Sequence, residues 1–183
     1  MFKQIICVLT NTLLLISCTN KTKTQENKTI HCIAEQFNVN IYDDAARSLI
    51  DSRASFEILA TGFKWSEGPL WVPDLQALIF SDVPTNKIYK WSEQDSLSIY
   101  LEYAGHTGER NKESERGSNG LFLYKENKLL LCQHGDRRIA LLDAELNQAK
   151  PRFITIADSY DNKRFNSPND LDVDIDGNIY FTD

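Results

Sequence analysis

Glycine and proline are scarce in this chain, 8 and 5 among 183 residues, so most of it can sit in regular elements. An excess of positive charge is missing too. Lys and Arg number 20 against 26 Asp and Glu, and the pI near 5.1 gives no electrostatic footprint for nucleic acid. There is no CxxC and no Cys/His cluster, which leaves structural zinc unsupported. No GxSxG elbow, P-loop or GxGxxG occurs, so serine hydrolysis, nucleotide hydrolysis and dinucleotide binding lack a basis. What is present is ordinary: 42% hydrophobic, 25% charged and 10% aromatic residues argue against both a disordered chain and a multi-span membrane protein. The length suits one compact domain, or two small ones.

The first residues read as an address. Lys3 precedes an apolar run from Ile5 to Ile16, broken by Thr10, Asn11 and Thr12 and too short to span a bilayer comfortably. The run ends in Leu15-Ile16-Ser17-Cys18, which resembles a bacterial lipoprotein cleavage box. The likeness implies a signal peptide over 1–17, acylation of Cys18, and export to the periplasm or the outer membrane. Residues 18–30 would be a polar tether, since Thr19 to Lys28 holds no apolar residue. The segment 31–55 contains a short helix, with Asp43-Asp44 capping Ala45 to Ile50. Of the four cysteines, Cys7 lies in the apolar run. Cys32 and Cys132 could pair in an oxidising compartment, but Cys132 sits in an apolar strand, which favours two unpaired thiols.

From residue 56 onward an internal repeat sets the fold. Glu67-Gly68-Pro69-Leu70-Trp71, Ser118-Asn119-Gly120-Leu121-Phe122 and Pro168-Asn169-Asp170-Leu171-Asp172 recur at roughly fifty-residue spacing. Each opens a strand that passes through a turn (Pro73-Asp74, Glu126-Asn127 or Asp176-Gly177) into a second apolar strand. The second strands align without gaps, as Leu78 to Asp82, Leu129 to Gln133 and a run closing at Asp183. A third strand follows in the first unit, Lys87 to Trp91. Repeated four-stranded units of this length define an all-β, propeller-type fold. Only about the first two to three blades fit into 56–183, so the expectation is the N-terminal part of a longer protein.

The repeat motifs resemble those of the gluconolactonase and regucalcin (senescence marker protein) family of six-bladed β-propellers, in its bacterial gluconolactonase branch. The likeness rests on Trp65-Ser66-Glu67-Gly68-Pro69-Leu70-Trp71, Phe80-Ser81-Asp82-Val83-Pro84, Ser118-Asn119-Gly120-Leu121, Cys132-Gln133-His134-Gly135-Asp136-Arg137-Arg138 and Asn166-Ser167-Pro168-Asn169-Asp170. It implies hydrolysis of a sugar lactone or related ester with one divalent cation in the central channel. Calcium is the first candidate, with magnesium, manganese or zinc as alternatives. By the same likeness Glu67 is a metal ligand, and Asn169, Asn119 and His134 are substrate contacts. Asn119-Gly120 carries the dipeptide of a ligand asparagine, but one blade too early. The remaining ligands, and an aspartate acting as general base, would lie beyond Asp183.

Carboxylate and amide oxygens form a hard donor set that suits such a cation. A cation held there would polarise the ester carbonyl and activate water. The alternative function is a non-catalytic propeller that presents its channel to sugars or a protein partner. Asp172, Asp174, Asp176, Gly177 and Asp183 mimic a calcium loop, but Pro168 and the polar run before it cannot supply the entering helix. The segment reads as a hairpin. Arg137 and Arg138 are expected to be solvated or bonded to a neighbouring blade, and His106 to Glu115 to form an exposed loop.

Overall fold

A computed structural model describes residues 40–50, 57–108 and 116–183, in two units, Met1–Thr61 and Gly62–Asp183. The signal, Cys18, the tether, Cys32 and residues 109–115 lie outside the described residues. In the first unit the expected helix is a five-residue 3-10 turn, Asp44–Ser48. The Asp43 carboxylate accepts the Ala45 N–H at 2.8 Å, as the sequence implied for a cap. So few residues close too few hydrogen bonds to propagate an α-helix.

The second unit is built from strands, which we number in chain order. β1 (Ser66–Val72), β2 (Ala77–Asp82), β3 (Lys87–Ser92) and β4 (Ser96–Glu102) form one antiparallel sheet in that order. β5 (Ser118–Tyr124), β6 (Lys128–Gln133), β7 (Arg138–Leu142) and β8 (Phe153–Ala157) form a second of the same topology. A small hairpin, β9 (Ser159–Tyr160) with β10 (Lys163–Arg164), leads to β11 (Leu171–Val173) and β12 (Ile179–Phe181), the opening pair of a third repeat. These are two complete blades and the start of another, the all-β propeller architecture expected from the repeat.

Turn chemistry explains why the chain reverses where it does. Gln76 and Asn86 adopt left-handed backbone after short 3-10 turns, and Asn127 does so within the equivalent turn of the second blade. Gly177, at φ 90, closes the Asp176-Gly177 hairpin. The Asp174 carboxylate accepts from the backbone of Asp176 and Asn178, from the Asn178 amide and from the Tyr180 hydroxyl. The aspartate-rich segment is therefore a hairpin held by one carboxylate.

The strand register corrects one detail of the repeat. Leu70 pairs with Ile79, whereas Leu121 pairs with Leu131 and Leu171 with Phe181. The first hairpin is one residue shorter than the other two, so the second strands do not align without a gap. The apolar run of β6 is continuous because both of its faces are covered. Leu129 and Leu131 join Val72, Ile79, Ile88 and Leu101 of the first blade in one core. Leu130 and Cys132 turn the other way and meet Leu171, Val173 and Ile179. Cys132 is a buried free thiol, its pKa raised by desolvation and then by the Asp170 charge.

Candidate active site

β1 and β5 are neighbours through close contacts, and β11 lies against β5, so the first strands of successive repeats converge on one side. That is the arrangement in which inner strands line a central channel. Each complete first strand carries a bulge near its start, between Glu67 and Leu70 in β1 and between Ser118 and Leu121 in β5. A bulge re-aims side chains locally, and here it falls where the candidate residues are.

Glu67 is half-buried at the first of these bulges, opposite Ser81. The Trp65 indole N–H donates to its Oε1 at 2.9 Å, which fixes the carboxylate. Gly68, at φ 53, lies so close to the second blade that an added Cβ would collide with the Asn119 carbonyl oxygen. The Ser81 hydroxyl donates to that same carbonyl at 2.9 Å and sits 2.8 Å from the Ser118 hydroxyl. Glu67 and Asn119 are thus joined through packed backbone and one buried hydroxyl pair.

The three residues expected to contact substrate do come together. Asn119, only 2% exposed, donates from Nδ2 to Asn169 Oδ1 at 2.8 Å. The same nitrogen lies 3.2 Å from Nε2 of buried His134. Asn169 itself is exposed. Its backbone is held in place because the Gly120 N–H donates to the Asn169 carbonyl at 2.8 Å. A Cβ at Gly120 would stand 2.5 Å from Asp170 Oδ1 and 2.8 Å from Asp170 Cα, so glycine is what permits this approach.

The sequence motifs contain the residues that hold these segments, but not that role. Asp82 is 1% exposed, and its Oδ1 accepts the N–H groups of Lys64 and Trp65 at 3.1 and 2.9 Å, steering the chain into Glu67. Asp183 does the same for Asn166 and Ser167, leading into Asn169. In the middle repeat Gln133 closes the strand instead, donating to the Ala104 carbonyl at 2.6 Å and accepting from Arg138. The signal was in the repeat itself, a polar residue at or just past the end of each second strand.

Of the stretch expected to be an exposed loop only residues 106–108 are described, with Thr107 and Gly108 exposed and the segment tied down at its start. His106 Nδ1 lies 3.2 Å from Asp136, and the Thr107 hydroxyl donates to the same carboxylate at 2.6 Å. Arg138 donates to Asp136 and Thr155, while Arg137 reaches across to the Phe165 carbonyl. Both arginines are therefore structural ties, Arg137 toward the third repeat and Arg138 within its own blade rather than to a neighbouring one.

The half-buried Glu67 carboxylate and the Asn119 and Asn169 amides of the neighbouring strands offer oxygen donors, and the thiol of Cys132 is committed to the apolar core. These residues fit a hard cation in kind. Among the described residues no three His, Cys, Asp or Glu side chains converge as a complete metal cage.

Fold and site together define a propeller whose inner-strand entries carry a carboxylate and two asparagines, with a histidine just past the end of a second strand bonded to one of them. Residues 65–183 match the family model described as the SMP-30/Gluconolactonase/LRE-like region. The chain belongs to that family. It is 36% identical over 138 residues to a gluconolactonase of Zymomonas mobilis, a match covering 74% of this chain and 38% of the relative. A solved gluconolactonase structure from Xanthomonas campestris aligns with TM-score 0.55 and 31% identity, over 68% of this chain and 37% of its own. Another solved chain, assigned provisionally to the gluconolactonases, aligns with TM-score 0.53 at 38% identity, over 67% of this chain and 37% of its own. The chain therefore spans little more than a third of the length of these relatives.

Proposed function

We propose that the complete product of this gene hydrolyses a sugar lactone or related cyclic ester with the help of one divalent cation, calcium first. The observation that carries the reading is the close packing of the Glu67-Gly68 bulge on the Asn119 backbone, whose side chain is bonded in turn to Asn169 and His134. It is supported by family membership and by 36% identity to a named gluconolactonase.

In this reading Glu67 is one ligand of the cation, its free edge set by the indole of Trp65. A divalent cation bound there would polarise the ester carbonyl and lower the pKa of a bound water. Asn169 orients a substrate oxygen through its amide, and the buried network behind it keeps that amide from rotating. The proton of the attacking water goes to a carboxylate that we place beyond Asp183, together with the remaining ligands.

Hydrolysis of glucono-lactone by the complete gene product, with calcium and after chelation, tests the proposal. Turnover should fall at least tenfold on chelation, and Glu67→Gln should lose about 100-fold, in line with removal of a group that stabilises developing charge. Equal activity in Glu67→Gln removes Glu67 from the mechanism. Sugar binding without turnover under all conditions favours the non-catalytic alternative.

A further inference from the structure

We propose that Asn119 is a positioning residue that locks the Asn169 amide with its N–H groups toward the channel, so that Asn169 meets a substrate oxygen as a donor. The proposal rests on the lactonase reading above and deepens it at the same site.

An asparagine amide has a donor end and an acceptor end, and which one faces a ligand decides its chemistry. Asn119 uses one nitrogen for two neighbours, Asn169 Oδ1 at 2.8 Å and His134 Nε2 at 3.2 Å. That nitrogen can only donate. His134 Nε2 must then accept, which places the proton of a neutral imidazole on Nδ1. Rotating Asn119 alone would set its oxygen against the oxygen of Asn169, two acceptors with no proton between them. Such a mismatch is expensive at a site only 2% exposed. The three side chains therefore share one direction of donation, and none can turn without the others.

The consequence falls on Asn169, the exposed member of the cluster. Its Oδ1 already accepts from Asn119 and is turned toward it, so its Nδ2, with two donors, is the end presented to whatever enters the channel. In this orientation Asn169 suits a carbonyl or hydroxyl oxygen of a substrate, which accepts from its Nδ2. Asn119, by contrast, has no amide hydrogen left for a substrate. It acts through its partner.

Two measurements test this. Nitrogen-15 NMR of the histidine ring in the unaltered chain at neutral pH should show His134 with an unprotonated Nε2 and the proton on Nδ1. A proton on Nε2 would reverse the direction of the network and overturn the proposal. In the complete gene product with glucono-lactone as probe, Asn119→Ala should lower kcat/KM about tenfold alone but less than about twofold in an Asn169→Ala background, the non-additivity of residues acting as a unit. Losses that multiply in the double variant would contradict a role exercised through Asn169. If no lactone is turned over, the lactonase reading fails, and the ring tautomer still decides how Asn169 is presented.

Discussion

Asn119 Nδ2 and Asn169 Oδ1 stand 2.8 Å apart, joining side chains separated by 50 residues at the same place in successive repeats. The bond is the point where the architecture becomes chemistry. Packing of inner strand on inner strand brings the two backbones together, and the repeat supplies an amide on each.

Gly120 is the test of that packing. Gly120→Ala would drive a methyl group to 2.5 Å from Asp170 Oδ1 and 2.8 Å from Asp170 Cα. Backbone must move to accept it, at a cost of about 1–3 kcal/mol. Urea unfolding should show that loss. The histidine ring signals of His134 should also change, because Asn169 is pushed away from Asn119.

The third-repeat hairpin should be pH-sensitive. Asp174 is held below the usual carboxylate range, first by the Asn178 side chain, then by the Asn178 backbone, with Tyr180 and Asp176 adding smaller effects. A carboxylate whose pKa is lower in the folded state stabilises it above the unfolded value, roughly 3.9 for Asp, and that contribution disappears as pH falls through the folded value. Asp174→Asn should therefore speed amide exchange at Asp176 and Asn178 at neutral pH. Its stability should converge with the parent protein well below pH 4.

Cys132 should be chemically silent in the native protein. Burial, reinforced by the Asp170 charge, keeps its thiol protonated well above the ordinary range. A thiol-specific reagent at pH 8 should modify it only after unfolding. Rapid labelling of folded protein at Cys132 would show that the contact between the second and third repeats opens readily.

Cys18 carries the proposal about location. A lipid anchor there predicts that the protein fractionates with membranes and incorporates radiolabelled fatty acid. Cys18→Ala should abolish both, because acyl chains supply the membrane affinity that the polar tether lacks. Among the described residues no helix is long and apolar enough to cross a membrane.

The fold was legible because the repeat is visible at single residues. Leu70, Leu121 and Leu171 mark the inner strands, and Asp176-Gly177 marks a turn that the backbone adopts, with Gly177 at φ 90. The one-residue difference in the first hairpin was not legible. Both alignments keep apolar residues opposite apolar residues, and only the pairing of Leu70 with Ile79 separates them.

The grouping of Asn119, His134 and Asn169 was expected from the family likeness, but its wiring was not. Which amide donates to which is set by contacts between repeats, and spacing along the chain does not encode them. The holding roles of Asp82 and Asp183 were not legible for a similar reason, since an aspartate at a strand end is ordinary until its backbone partners are known.

The central claim is that Glu67 holds a cation at the inner-strand entries. Anomalous diffraction from crystals of the complete gene product soaked in a manganese salt addresses it most directly. The account predicts a peak within about 2.6 Å of a Glu67 carboxylate oxygen, the range of oxygen ligation to such ions, with the amide nitrogen of Asn169 facing the same space. A Glu67 carboxylate turned to bulk solvent, with no peak beside it, would contradict the account.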